Sequence, residues 1–143
     1  MSIDKEDKKA LIDYRLEKAD MALDDAAFLT DAGKYGLAAN RLYYALYYAA
    51  SALLLSKDII TKRHSGLMSQ IHLNFVKTGQ LSPDEGALFK VMFSLRHEDD
   101  YEDFIEVEKA DIEEFTPQVT ALVKNSRGLW RNKLTGNGRN TEK

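Results

Sequence analysis

The sequence predicts an all-α fold: an up-and-down antiparallel bundle of four to five helices. Apolar residues recur at three- and four-residue spacing along most of the chain, and no segment sustains period-two alternation. Only two prolines occur, Pro83 and Pro117, and the glycines fall mainly between the periodic segments. The connections are short, which packs consecutive helices antiparallel. A chain of 143 residues suits one domain with one core. That domain is assigned to residues 1–131, with 132–143 as a flexible basic tail.

The first helix is expected from about Asp4 to Asp31. Leu11, Tyr14, Ala19, Ala22, Leu23, Ala26, Phe28 and Leu29 supply its apolar face, and Ala32-Gly33-Lys34 breaks it. The second runs from about Tyr35 to Ser56. It is apolar nearly all round, which places it at the centre of the bundle. The third runs from about His64 to Lys77 and stops at Thr78-Gly79. Ser82 is a natural N-cap, Pro83 suits a first turn, and Glu85 completes a capping box. The fourth helix starts there, with Leu88, Val91, Met92 and Leu95 on one face. The fifth runs from about Glu108 to Arg131 with Ile112, Phe115, Val119, Leu122 and Val123 inward, and Pro117 disturbs its first turns. The end, from Leu134 to Lys143, is polar and rich in Gly and Asn. It buries too little surface to offset its ordering entropy.

Composition removes several classes of function. With 44% apolar and 30% charged residues, the chain is neither a disordered polymer nor a membrane protein. Its most apolar window, Leu42 to Leu55, has the length of a core helix and falls short of the roughly 18 residues of a membrane span. The absence of cysteine excludes disulfides, thiolate catalysis and cysteine-bound zinc. The N-terminal Met1 to Lys8 is charged and lacks a signal-peptide core, so a cytoplasmic location is expected. The net charge of -3 disfavours indiscriminate nucleic-acid binding but permits a local basic site. Charge is segregated. Glu98 to Glu114 holds ten acidic residues and one basic residue, whereas Lys124 to Lys143 holds six basic residues against Glu142. Both blocks read as solvated surface; alternatively, the basic tail touches RNA or the acidic helix of a partner.

Few motifs carry chemistry. There is no glycine-rich phosphate loop, no His-Glu-x-x-His, no Glu-x-x-His pair and no nucleophile elbow. His64, His72 and His97 lack metal-ligand spacing, so no metal or cofactor is expected. Two constellations remain. In Asn40-Arg41-Leu42-Tyr43-Tyr44-Ala45-Leu46-Tyr47-Tyr48, the i,i+4 pairs Tyr43/Tyr47 and Tyr44/Tyr48 form two aromatic strips. They read as packing, with hydroxyls at a wet edge, or as a platform for stacked bases. Arg41 beside them could hold a phosphate or a carboxylate. The second constellation, Ser94 to Phe104, ends the fourth helix. Arg96, Asp100 and Tyr101 stand there at i, i+4 and i+5. They read as a helix-ending ion pair, or as a phosphate-binding Arg96 oriented by Asp100 with the Tyr101 hydroxyl beside it.

The order of these pieces resembles the HEPN domain family (higher eukaryotes and prokaryotes nucleotide-binding), in its small stand-alone prokaryotic branch. Asn40-Arg41-x-Tyr43-Tyr44-Ala45 opens the long apolar helix. Lys62-Arg63-His64-Ser65-Gly66-Leu67 follows, then Phe75-Val76-Lys77-Thr78-Gly79, and then Leu95-Arg96-x-x-x-Asp100-Tyr101 before an acidic helix. The resemblance spans about Tyr14 to Val123. It implies a helical bundle that dimerises. It also implies a role as a metal-independent endoribonuclease or as a nucleotide- or RNA-binding protein, in toxin–antitoxin pairs with a minimal nucleotidyltransferase. The family's catalytic motif is an arginine, four to six residues, and a histidine, with two motifs facing across a dimer cleft. Arg96 matches the arginine, and Tyr101 stands where the histidine would be. The catalytic candidates are therefore Arg96, Tyr101, His97 and His64. The nucleotide- or RNA-binding candidates are Arg41, Tyr44, Asp100 and Arg96. His97 directly follows Arg96, so on a helix the two side chains diverge by about 100°. A tyrosine, with its pKa near 10, is a weaker general base than histidine. It serves better as an acid, a hydrogen-bond donor or a site of adenylylation.

Overall fold

The computed structural model describes residues 4–96 and 106–136. All five expected helices are present: α1 Lys5–Asp31, α2 Tyr35–Ser56, α3 His64–Ile71, α4 Pro83–Leu95 and α5 Lys109–Thr135. No strand occurs among the described residues. None of the described helices is long and apolar enough to cross a membrane.

Local chemistry explains the breaks. Gly33 sits at φ +76°, the left-handed region that an L side chain enters at a cost, and Lys34 N–H donates back to the Leu29 carbonyl. The resulting link is too short to do anything but fold α2 back along α1. Ala19, Ala22 and Ala26 of α1 are buried, as are Ala38, Ala45, Ala49 and Ala52 of α2. Small side chains let two helix axes approach closely. The α4 capping box forms as expected, with Glu85 N–H donating to Ser82 Oγ at 3.0 Å and Ser82 N–H to Glu85 Oε1 at 2.8 Å. Asn125 Nδ2 donates to the other Glu85 oxygen and so ties α5 to this cap.

α2 touches every other helix. Its buried residues run from Ala38 to Ser56, which makes it the axis of the core. Leu67, Ile71, Phe75, Leu88, Phe89, Met92, Ile112, Val119 and Leu122 close around it.

The structure departs from the periodicity in four places. α3 ends at Ile71, and the chain continues as a π-helical turn, His72–Val76, in which Lys77 N–H reaches the His72 carbonyl. Gly86 of α4 lies against this turn, where an added Cβ would stand 2.8 Å from Val76 Cγ2. On α4 the buried face is Leu88, Phe89 and Met92, and Val91 is exposed. On α1, Tyr14 and Phe28 are exposed, and Ile12 and Leu16 take the core positions. α5 continues past Arg131 to Thr135, where Gly136 ends it at φ +78°. The helix also passes through Pro117, at an exposed position.

Two anchors explain the longer α5. Trp130 is buried and its indole N–H donates to Asp13 Oδ1 at 3.0 Å. Lys133 Nζ donates to the Ser56 carbonyl at the end of α2, a cation on a helix C-terminus. Burial and the Lys8 charge draw the Lys133 ammonium below the usual lysine range, against the pull of Asp58. Lys57, lowered by burial and by the charge of Lys133, donates to the Asn74 carbonyl and lies 4.2 Å from the Phe75 ring centre.

Candidate functional site

Four of the candidate residues come together where the first half of α2 meets the start of α3 and the end of α4. Tyr43, fully buried, is the hub. Its hydroxyl is hydrogen-bonded to His64 Nδ1 at 2.5 Å. The His64 ring also packs on Tyr47 at 5.1 Å, Phe93 at 5.6 Å and Tyr44 at 6.1 Å between ring centres. The imidazole is therefore held from several sides, with one ring nitrogen bonded to a phenol.

Arg96 approaches the same hub from α4. It is the C-cap residue of that helix, where a cation is favoured by the helix dipole. Its guanidinium carbon lies 4.2 Å from the Phe93 ring centre and 5.7 Å from that of Tyr43. Phe93 precedes Arg96 by three residues, the helical spacing that brings two side chains to one face. A stacked guanidinium keeps its planar donor fork in a fixed attitude.

Arg41 is the second cation. Its Nε and Nη2 donate to Asn40 Oδ1 at 3.3 and 3.1 Å, and its guanidinium carbon lies 5.1 Å from the Tyr44 ring centre. Asn40 Nδ2 donates in turn to the Arg96 carbonyl at 3.4 Å. One amide thus connects the two arginine-bearing segments, which are 56 positions apart.

The arrangement places the Arg41 guanidinium, a group that can pair with phosphate oxygens, near Arg96, whose Nε and Nη1 are buried. It also places tyrosine rings at a partly exposed edge, around an imidazole bonded to the Tyr43 hydroxyl. Of the candidates, the structure brings together Arg41, Tyr44, His64 and Arg96. His97, Asp100 and Tyr101 lie outside the described residues. Among the described residues, no group of three or more His, Cys, Asp or Glu could hold a metal ion.

Sequence reasoning missed Phe93 and the bridging role of Asn40. The signal for Phe93 was its i,i+3 spacing to Arg96. Asn40 is adjacent to Arg41, and nothing in the sequence marks a contact to a residue so far along the chain.

Comparison with known proteins bears on this geometry. A family model of the HEPN domain matches residues 12–128. A UPF0332 protein of Thermotoga maritima is 36% identical over 109 residues, covering 76% of this chain and 83% of that one. UPF0332 proteins are HEPN family members. Two Methanocaldococcus jannaschii proteins, each named "Putative toxin", are also similar. One is 31% identical over 73% of this chain and 71% of its own length. The other is 34% identical over 60% of this chain and 64% of its own.

Proposed function

We infer function from one premise: the chain belongs to the HEPN domain family. On that premise it is a toxin-like HEPN protein that binds RNA or nucleotides. It acts as the HEPN member of a toxin–antitoxin pair with a minimal nucleotidyltransferase. Two relatives that carry the name toxin support the first part. The observation that carries the binding reading is the convergence of Arg41, His64 and Arg96 around Tyr43. Two arginines suit a phosphodiester, and the neighbouring tyrosine edges suit a base. In a homodimer, two copies of this site would face each other and hold one strand between them.

A second reading, metal-independent RNA cleavage, is favoured by the Tyr43–His64 hydrogen bond. It fixes an imidazole that shares the Phe93 ring with Arg96; His64 would handle protons, and Arg96 would offset charge that develops on the phosphate.

One experiment separates the readings. Wild type, Arg96→Ala and His64→Ala are incubated with single-stranded RNA in EDTA, with binding and cleavage both measured. The binding reading expects retention of RNA by wild type and loss in Arg96→Ala, with an unchanged melting temperature. Cleavage by wild type that disappears in His64→Ala establishes the second reading. Neither binding nor cleavage by wild type overturns both and leaves docking of the partner protein as the function. Light scattering that finds a monomer at micromolar concentration removes the shared cleft.

A further inference from the structure

α1 borders a second concave surface, away from Arg96. A cleft of about 290 Å³ lies between α1, α2 and the segment after α2. Tyr14, Arg15 and Lys18 line it from α1, Tyr47 and Tyr48 from α2, and Ile60 from the connecting segment. No acidic residue lines it, although α1 is rich in acids. Helical phase does the sorting. Residues 14, 15 and 18 share this face, whereas Asp13, Glu17 and Asp20 face the groove towards α5.

Lys18 is the telling residue. It makes no hydrogen bond or ion pair among the described residues. Its ammonium instead stands 5.0 Å from the Tyr48 ring centre and 5.6 Å from that of Tyr14. Arg15 adds a second cation, held among the described residues only by a long 3.4 Å contact to the Ser51 carbonyl. Tyr14 is 53% exposed and Ile60 66%. A concave wall of aromatic rings with two under-used cations fits a flat ring that carries an anionic group.

Tyr48 connects this cleft to the site above. Its ring centre is 6.1 Å from Tyr44 and 5.9 Å from Tyr47, and Tyr47 packs on His64. The aromatic surface therefore runs from Arg41 and Tyr44 to Tyr48, and Lys18 bridges Tyr48 to Tyr14.

We propose that the cleft between α1 and α2 is a second nucleic-acid contact that takes one unit of a single-stranded RNA. The base lies against Tyr14 and Tyr48, and the phosphate meets Lys18 and Arg15. Aromatic platforms beside a cationic track are the general means of binding single strands without sequence preference. A volume at the low end for ligand pockets suits one nucleotide unit better than a larger ligand. The proposal rests on the RNA-binding reading. A free mononucleotide offers the same chemistry, and the experiment distinguishes the two.

The test measures fluorescence anisotropy of a short labelled oligouridylate with the full chain, over a range of salt. The variants are Tyr14→Ala, Lys18→Gln and Arg96→Ala. Tyr14→Ala and Lys18→Gln are each expected to weaken binding roughly tenfold, with unchanged melting temperature. Lys18→Gln should also flatten the salt dependence by about 0.7 in the log–log slope, the loss of one phosphate contact on a single strand. If both variants bind like wild type while Arg96→Ala loses binding, the cleft proposal falls and the functional reading stands. If wild type binds no oligonucleotide, the RNA reading falls. Adenosine monophosphate is then titrated while the Tyr14 and Tyr48 ring protons are followed by NMR. Saturable shifts that vanish in Lys18→Gln retain the cleft as a free-nucleotide site. Absence of shifts overturns it as well.

Discussion

The two sides of α1 solve opposite problems with similar residue types. Towards α5, charges are matched. Arg127 Nη2 donates to Asp20 Oδ2 at 2.7 Å and to the Leu16 carbonyl at 3.2 Å, Asp13 accepts from Trp130, and Lys9 donates to Asp13 at 2.8 Å. Towards α2 and the segment that follows it, Arg15 and Lys18 face tyrosines and meet no carboxylate in the cleft. Matched charges hold helices in register. Cations facing aromatic rings across a concave surface are placed for something that arrives later.

That contrast is sharpened most by Trp130→Ala. Removing a buried indole should cost about 3–5 kcal/mol, read from urea denaturation. A cost below about 1 kcal/mol would mean that the α5 side is not a structural seam. Next comes Arg127→Gln, expected to cost about 1 kcal/mol, because the pair with Asp20 is partly exposed and salt screens it. A loss that is unchanged in high salt would point to the carbonyl contact as the dominant part.

The third effect is a pH dependence. Burial pushes the Asp13 carboxyl upward. The hydrogen bonds from Lys9 and Trp130, with the charges of Lys9 and Arg127, more than offset this and hold it below its ordinary value. A lowered carboxyl stabilises the fold above its ordinary value of 3.8, and that contribution disappears as pH falls through the lower folded value. Asp13→Asn should therefore flatten the acid limb of the stability curve below about pH 4 and leave its slope at neutral pH unchanged. A steeper acid limb in the variant would reverse the assignment. The smallest effect is expected on the other side of the helix. Lys18→Gln should change stability by less than about 0.5 kcal/mol in thermal denaturation, since the lysine makes no hydrogen bond or ion pair among the described residues. A loss above 1 kcal/mol would make Lys18 a packing residue and erase the contrast.

What was legible in the sequence was local. The Ser82–Glu85 box closes within four residues, and the Ala32-Gly33-Lys34 break needs only the backbone freedom of Gly33. α2 was readable as the axis because nearly every position in it is apolar. The tyrosines of α2 were legible as a pattern but not as a division of labour. Tyr43 is buried at the hub, and Tyr44, Tyr47 and Tyr48 remain at the edge. The choice of Phe89 over Val91, and of Ile12 and Leu16 over Tyr14 and Phe28, turns on helical phase against neighbours that the sequence does not position. The length of α5 depends on Trp130 meeting Asp13, 117 positions away, and on Lys133 meeting Ser56, 77 positions away. Arg41, Tyr44, His64 and Arg96 were singled out by type and order. Their convergence on Tyr43 is a tertiary fact.

The α1–α2 hairpin also bears on how readily the chain acquires its shape. α1 packs more extensively on α2 than any other two helices pack together, and the short link between them keeps the loop-closure entropy of that pairing small. Such local topologies fold in microseconds to milliseconds. The Trp130–Asp13 contact, by contrast, joins positions 117 apart and carries a larger closure cost.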